Sequence, residues 1–359
     1  MNTLGQRIAA LIAAQGPVSI AEFMTMALHD PQGGYYATRD PFGAAGDFIT
    51  APEISQMFGE FLGLWCVQVW HDQGRPAHKR LVELGPGRGT LMDDALRAMR
   101  VAPEFLNDLE IVLVEASPTL RDLQRQRLKE WGDQIRWTDR FDESLGDRPL
   151  FLLANEFFDA LPIRQYVKTV RGWCERMVTA DASGALAFVL SPVPAADITI
   201  PPDRAFAPDG GVYEVSPAGL ALTEEIARVI THQRGGALIV DYGYDASGFG
   251  ETLQAVAGNS FAALLEEPGE SDLSAHVDFP TLAACARSAD ADVYGPAGQG
   301  DFLEDLGLVD RAERLRVQNP HSADDIWKAV ERLVTPEQMG TLFKALAIMP
   351  KTAPKPPGF

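Results

Sequence analysis

The chain has 359 residues, of which 46% are hydrophobic and 23% charged, and this composition excludes a largely disordered protein. Its 50 acidic residues against 31 lysines and arginines give a net charge of −19, which disfavours a nucleic-acid partner and would tolerate a basic one. It has no apolar run of about 18 residues and no signal-peptide or transit-peptide pattern, so we expect a cytoplasmic protein without a membrane span.

Residues 1–78 predict a helical extension. Apolar residues recur at helical spacing over residues 4–12, and Gly16 with the proline after it ends this first helix. Ser19 and Glu22 have the spacing of a capping box, which predicts a second short helix.

A third helix is predicted from Thr50 to about residue 74. Thr50 and Glu53 repeat the capping-box spacing, with Pro52 in the first turn. The apolar and aromatic residues that follow lie on one helical face, which we assign to the core.

From about residue 80, short apolar runs alternate with helical stretches. The strand-like runs are 81–84, 111–114, 134–137, 150–154 and 237–240, and the helical stretches include 90–100 and 118–131. This alternation is typical of α/β proteins and predicts a mostly parallel sheet with helices on both faces.

Residues 166–219 interrupt the alternation. Strand-like runs separated by turn signals predict an antiparallel β insertion followed by a proline-rich loop. We therefore divide the chain into five parts. They are an N-terminal helical extension with a lid loop (1–78), the first half of the core (79–165), the β insertion as a substrate subdomain (166–219), the second half of the core (220–349) and a flexible proline-rich tail (350–359).

Three glycines, Gly85, Gly87 and Gly89, form the strongest single motif. They follow a buried strand and precede a helix that begins at Thr90. Glycine lets the backbone approach a ligand closely and adopt positive φ. The motif predicts a ligand over this turn, although a plain strand–helix turn would show the same spacing.

Two glutamates beside this turn narrow the class of ligand. Glu115 ends the next strand, where a carboxylate can accept hydrogen bonds from ribose hydroxyls. Glu83 precedes the glycines and suits a cationic ligand, such as the amino-acid end of S-adenosyl-L-methionine, better than a pyrophosphate. A nicotinamide cofactor is disfavoured because Thr90 occupies the place of the last glycine in the GxGxxG fingerprint.

Several longer stretches resemble one known family over residues 23–346. They are 34–36 (GYY), 46–56 (GDFITAPEISQ), 83–90 (ELGPGRGT), 155–162 (NEFFDALP), 241–243 (DYG) and 275–279 (AHVDF). With them the sequence resembles the MidA-like class I S-adenosyl-L-methionine-dependent methyltransferases, whose mitochondrial members are complex I assembly factors. The resemblance implies a seven-stranded Rossmann-like sheet with a helical extension and an inserted subdomain. It also implies symmetric methylation of an arginine, on a respiratory-complex subunit or a related protein.

The chain departs from the family pattern at two positions. Tyr244 follows Asp-Tyr-Gly where the pattern has histidine, and Gly250 stands where an acidic residue is expected. These departures put the role of those two positions in doubt and leave the cofactor site unaffected.

The loop after the strand 150–154 carries the predicted catalytic residues Asn155, Glu156 and Asp159. Ligands of open α/β sheets bind at the carboxyl ends of the strands, so this loop should face the transferred methyl group. An arginine side chain is protonated at neutral pH, with a pKa above about 12. Paired carboxylates can hold it through two hydrogen bonds and favour loss of its proton. The alternative is that Asp159 only caps a turn.

Four further residues are weaker candidates. Asp47 and Thr50 belong to a loop that we expect either to fold over the cofactor as a lid or only to start a helix. Asp139 follows the strand 134–137 and is placed either to reach an adenine amino group or to be solvated at the surface. Asp241 lines the acceptor pocket or serves in a turn.

The leading hypothesis is an S-adenosyl-L-methionine-dependent protein arginine methyltransferase whose substrate is a protein with an accessible arginine. The alternatives are the same fold with a small-molecule acceptor, and an assembly or chaperone factor that uses the fold as a scaffold. CxxC, HExxH and GxSxG patterns are absent, so neither a disulfide framework, a metal site nor a serine hydrolase is expected, and His276 is read as a packed histidine. The oligomeric state stays open between monomer and dimer.

Overall fold

The computed structural model describes residues 2–38, 49–196, 198, 200, 206–246, 248–258 and 260–359. Its strands are β1 (Val18–Ser19), β2 (Arg80–Leu84), β3 (Glu110–Val114), β4 (Ile135–Thr138), β5 (Leu150–Asn155), β6 (Arg164–Thr169), β7 (Gly172–Ala180), β8 (Leu186–Leu190), β9 (Val212–Val215), β10 (Gly235–Tyr244), β11 (Gln254–Ala257), β12 (Ser260–Ala262), β13 (Asp272–Ser274), β14 (Val277–Asp278), β15 (Asp292–Gly298) and β16 (Phe343–Met349). Its helices are α1 (Thr3–Gln15), α2 (Ile20–His29), α3 (Tyr35–Thr38), α4 (Ala51–Ile54), α5 (Gln56–Asp72), α6 (Thr90–Met99), α7 (Pro103–Leu106), α8 (Pro118–Arg127), α9 (Pro217–Gln233), α10 (Phe279–Ser288), α11 (Gln299–Asp305), α12 (Leu308–Gln318), α13 (Ala323–Val334) and α14 (Met339–Leu342).

The central sheet has the order β15-β16-β10-β5-β2-β3-β4, and the short β14 also pairs with β10. Strands β10, β5, β2, β3 and β4 run parallel, and β16 is antiparallel to both of its neighbours. Of these, β2, β3 and β5 are buried along nearly their whole length, which explains their mostly apolar sequences, whereas the edge strand β4 is largely accessible. The predicted α/β class with a mostly parallel sheet is confirmed.

The β insertion, which interrupts the alternation of strands and helices, forms a second, antiparallel sheet. Its order is β1-β7-β6-β9, and β8 pairs with β7. The predicted strands of the insertion are therefore present. Strand β1 comes from the N-terminal extension, which sequence periodicity assigned to helices alone, and pairs Val18 with Val178 of β7.

Helices cover both faces of the central sheet. On one face α5 packs on α6 through glycines, because a Cβ on Gly63 would lie 2.7 Å from the Cα of Ala95. The aromatic face of α5, including Phe58 and Trp65, is buried there as predicted. Helices α9 and α10 cover the opposite face and bury Ile226 and Phe279.

Two local predictions were wrong. The Thr50 side chain makes no capping bond, and the expected third helix is divided into α4 and α5, the second capped by Ser55. Residues 350–359 are packed rather than free, since Pro356 is buried and the ring of Phe359 lies 5.2 Å from that of Phe302.

Within the described ranges, no helix is long and apolar enough to cross a membrane.

Candidate active site

A cleft with about 410 Å³ of empty space opens at the carboxyl ends of β2 and β5. The side chains and glycines that line it come from the α4 segment, the glycine turn and the loop after β5. They include Thr50, Glu53, Glu83, Gly85, Gly87, Arg88, Thr90, Asn155 and Glu156. Six of the residues predicted for the site therefore meet in one place.

The glycine turn has the backbone geometry that its sequence predicts. Gly85, Gly87 and Gly89 have φ values of +61°, +52° and +80°, which L-residues rarely adopt. A Cβ on Gly85 would lie 2.6 Å from Cδ2 of Phe157, in the loop after β5. Gly85 thus allows the glycine turn and the loop after β5 to approach each other closely.

Glu83 is a buried carboxylate at the base of the cleft. Its side chain is 3% exposed, and its Oε2 atom has no hydrogen-bond partner among the described residues. Burial, together with the nearby Glu115 carboxylate, raises the pKa of Glu83 to about 8. A cationic ligand in the cleft would relieve both the desolvation and the repulsion.

Glu53 reaches across the cleft instead of capping its own helix. Its Oε1 accepts a hydrogen bond from the Thr90 hydroxyl at 2.5 Å, which ties α4 to the start of α6. Sequence spacing missed this role because the same three-residue separation from Thr50 also fits a capping box.

Glu156 is held in an unusual backbone conformation directly after β5. Its φ is +49°, and its Oε1 accepts hydrogen bonds from the amide of Ala51 at 2.9 Å and from Nδ2 of Asn155 at 3.2 Å. Enclosure of the carboxyl group raises the pKa of Glu156 to about 7. The positive φ places strain at the centre of the site, as is common where a side chain must be aimed.

Asp241, within the neighbouring β10, holds the backbone of this loop. Its Oδ2 accepts hydrogen bonds from three consecutive amides, those of Phe157, Phe158 and Asp159, at 3.1, 2.9 and 3.2 Å. Asp241 is fully buried, and burial beside Asp159 and Glu156 raises its pKa well above the ordinary value. Of the two roles considered for Asp241, the structure shows the turn-organising one.

Asp159 lies behind Glu156 and outside the cleft lining. The Tyr242 hydroxyl hydrogen-bonds its carboxyl group, and burial raises the pKa of Asp159 to about 6. Its Oδ1 atom and the Oδ1 atom of Asn155 are both buried and, in the part of the chain that the structure describes, lack a hydrogen-bond donor. Both residues are only 8% exposed.

The other predicted residues lie further out. Glu115 is buried at the end of β3 and accepts hydrogen bonds from the amide of Ser117 and from Gln124, without lining the cleft. The Asp139 side chain is 82% exposed and pairs with Arg121 at 2.5 Å. Gly89 forms the N-cap of α6 behind the cleft, and Asp47 lies outside the described residues.

A second cavity lies on the far side of the loop after β5, with Tyr244 and Gly250 among its lining residues. His276 also lines it, and its ring lies edge-on to Tyr242 with centroids 5.3 Å apart, so the histidine is packed as expected. Over the described ranges, no group of three or more metal-ligating side chains occurs.

Comparison with known proteins agrees with this geometry. A family profile described as "Putative S-adenosyl-L-methionine-dependent methyltransferase" matches residues 61–297. A protein named "Protein arginine methyltransferase NDUFAF7, mitochondrial" from Danio rerio is 36% identical over 96% of this chain and 86% of its own length. The human protein of that name is 35% identical over 94% of this chain and 81% of its own.

A solved structure is similar over nearly the whole fold. It is a crystal structure from Burkholderia thailandensis of a protein bound to S-adenosyl-homocysteine, 28% identical with a TM-score of 0.84. The match covers 99% of this chain and 93% of that one.

Proposed function

The chain belongs to the S-adenosyl-L-methionine-dependent methyltransferase family, and from that premise we propose that it methylates the side chain of arginine in a protein substrate. Two of its relatives, each about one-third identical along nearly the whole chain, carry the name protein arginine methyltransferase. We further propose that the substrate is a subunit of a respiratory complex and that the methylation is symmetric, as the family resemblance suggests.

One observation supports this function most strongly. Two buried acceptor oxygens of cleft-lining residues, Glu83 Oε2 and Asn155 Oδ1, lack donors among the described residues and lie at the ends of the adjacent strands β2 and β5. Buried polar atoms are almost always hydrogen-bonded, and an unsatisfied one costs about 1–3 kcal/mol. A set made only of acceptors calls for ligands that bring hydrogen-bond donors, and preferably positive charge.

The cofactor side of the cleft fits S-adenosyl-L-methionine. Glu83 would bind the ammonium group of its amino-acid end, and the positive-φ glycines would let the ligand lie against the backbone. When bound, this cofactor supplies an electrophilic methyl group on a positively charged sulfur.

Glu156 would act on the substrate arginine, whereas the buried Asp159, predicted with it, lies behind the cleft lining. The Glu156 carboxylate lines the cleft, so it can hold the guanidinium through a charge-assisted hydrogen bond and orient one nitrogen for attack. As the new nitrogen–carbon bond forms and the sulfur–carbon bond breaks, that nitrogen must lose one proton. A carboxylate with a pKa of about 7 is suited to accept it near neutral pH.

The acceptor class can be tested with radiolabelled cofactor. Purified protein is incubated with methyl-tritiated S-adenosyl-L-methionine and a lysate from cells that lack this protein, and the label is measured in protein and small-molecule fractions. We expect label in protein that yields symmetric dimethylarginine on hydrolysis, and initial labelling about a hundredfold slower or less with Glu156→Gln. Label confined to small molecules would refute an arginine acceptor in favour of a metabolite.

A further inference from the structure

The second cavity is larger than the cleft and is not used by the methyl-transfer site described above. It has about 630 Å³ of empty space and lies between the antiparallel sheet and the starts of α9 and α10. Its walls are largely apolar, formed by Phe158, Ile163, Leu220, Val277 and Leu282. Apolar walls with a few polar groups at the rim are the usual character of a ligand-binding pocket.

The cavity and the cleft share one wall. The adjacent rings of Phe157 and Phe158 lie edge to face, with centroids 5.8 Å apart. Phe157 faces Gly85 in the cleft, whereas Phe158 lies beside Gly219 in the cavity, with Cδ1 3.6 Å from where a Cβ of Gly219 would be. The loop that aims Glu156 is therefore also the near wall of the cavity.

A backbone hydrogen bond joins the opposite wall of the cavity to the loop after β5. The amide of Ala275, which lines the cavity, donates to the carbonyl of Asp159 at 3.0 Å. Val277 and Asp278, which line the cavity, pair with the last two residues of β10, so the cavity and the cleft lie at the same carboxyl-end edge of the central sheet. A peptide that runs along this edge with an arginine at Glu156 would therefore pass the cavity within a few residues.

The polar lining is acidic. Glu214 and Asp278 contribute two carboxylates, and none of the lining residues among the described ones is lysine or arginine. Burial lowers the pKa of His276, so this imidazole is neutral at pH 7. Glu214 already accepts hydrogen bonds from Gln165, Thr252 and Leu253, and Asp278 caps α10, so the two carboxylates give the rim negative charge rather than free acceptors. That charge favours a basic peptide, and the apolar walls favour burial of an apolar side chain.

We propose that this cavity binds an apolar side chain of the substrate protein that lies within three positions of the methylated arginine. The inference rests on the proposed function, since it assumes a protein acceptor. The cavity behind the loop after β5 would then favour substrates with an apolar residue near the arginine and would supply part of the substrate affinity. Methyl transfer itself would take place in the cleft.

Two glycines of the cavity lining, Gly248 and Gly250, have room for a side chain. A Cβ on Gly250 meets the Tyr244 hydroxyl oxygen at 3.5 Å, an ordinary contact, and one on Gly248 meets nothing within 4 Å. Gly250→Leu and Gly248→Leu are therefore two independent filling variants. Gly132→Leu is the matched control, because a Cβ there also meets nothing within 4 Å and Gly132 lies beyond α8, remote from the cavity.

The probe is the protein that accepts label in the lysate experiment, with its methylated arginine located by mass spectrometry. Its methylation rate is measured against its concentration, and its binding is measured by anisotropy with S-adenosyl-homocysteine present. We expect each filling variant to raise KM and the dissociation constant about tenfold, the effect of losing one buried aliphatic side chain, with kcat little changed. Gly132→Leu should match the wild type.

A double-mutant cycle then decides whether the cavity holds the side chain. Replacing the neighbouring apolar residue of the substrate by serine should raise KM with the wild-type enzyme and have no further effect with Gly250→Leu. Additive effects, an unchanged KM in both filling variants, or no apolar residue within three positions of the arginine would overturn the inference while leaving arginine methylation intact. Label only in small molecules would overturn both proposals.

Discussion

The two strand ends that form the candidate site are built differently. At the end of β2, Glu83 is buried with a carboxylate oxygen that has no donor in the described part of the chain, beside a turn of positive-φ glycines. At the end of β5, Glu156 accepts hydrogen bonds from two neighbours, and Asp241 holds the three amides that follow.

This difference separates binding from alignment. The β2 side is electrostatically incomplete, so its interactions are completed by a ligand and should govern cofactor affinity. On the β5 side Asn155 and Asp159 also keep a buried oxygen without a donor among the described residues, but the backbone of the loop and the Glu156 carboxylate are already held by protein groups. This side should therefore govern the rate at which a bound substrate reacts.

Gly85→Val should disrupt the glycine turn on the β2 side and displace Phe157 on the β5 side. Valine is strained at a φ of +61°, and its Cβ would lie 2.6 Å from Phe157. We expect affinity for S-adenosyl-homocysteine to fall by more than about a hundredfold, measured by calorimetry, with circular dichroism unchanged. Gly132→Val, in open space, is the control. Affinity within about twofold of wild type would contradict the role of the turn.

Glu156→Gln should affect only the rate. Glutamine keeps an oxygen for the Ala51 amide but cannot accept the arginine proton, so kcat should fall about a hundredfold or more with unchanged affinity for S-adenosyl-homocysteine. In the wild type, kcat should rise with pH as Glu156 ionises, to half its maximum near its pKa of about 7. The exposed Glu130→Gln serves as the control, and loss of cofactor affinity in Glu156→Gln would disprove the division of roles.

Asp241→Ala should loosen the β5 side. It leaves three buried amides without their acceptor, so the free energy of unfolding should fall by about 2 kcal/mol, measured by urea denaturation. Turnover should fall more than cofactor affinity, because the loop that aims Glu156 is no longer anchored. Full wild-type stability would show that the loop is held by other contacts.

The pH dependence of cofactor affinity should reveal Glu83. Its pKa of about 8 means that the folded, ligand-free protein keeps this carboxyl protonated at neutral pH, whereas an ammonium group binds the ionised form. Affinity for S-adenosyl-homocysteine should therefore rise about tenfold per unit from pH 6 to 7, with release of a proton detectable in buffers of different ionisation enthalpy. Glu83→Gln should remove this slope, and the same slope in that variant would assign it to another group.

Raising the pH should have the opposite effect on the stability of the ligand-free protein, which should fall while cofactor affinity rises. The folded state holds the Glu83 proton more tightly than the unfolded state, so the free energy of unfolding without ligand should fall as pH rises from about 4.5 to about 8.

Much of the core and of the site followed from local patterns. Buried parallel strands such as β2 and β5 are continuous apolar runs, and the glycine turn and the acidic loop lie at their ends, where sheet geometry brings them together. The fold class and the meeting of Glu83 with Glu156 could therefore be predicted from the sequence.

The failures involve contacts between distant segments. The spacing of Thr50 and Glu53 fits a capping box, but the tertiary bond from Thr90 attracts the glutamate instead. The proline-rich C-terminus has the composition of a free tail, but the ring of Phe359 packs against that of Phe302. The positive φ of Glu156 has no sequence signal, because the loop anchored by Asp241 imposes it.

The most direct test of the account is mass spectrometry of arginine methylation in cells that carry the wild-type protein, Glu156→Gln or neither. We predict at least one peptide whose arginine is dimethylated with the wild type and unmodified in the other two. Identical methylarginine peptides in all three would contradict the assignment of this protein as an arginine methyltransferase.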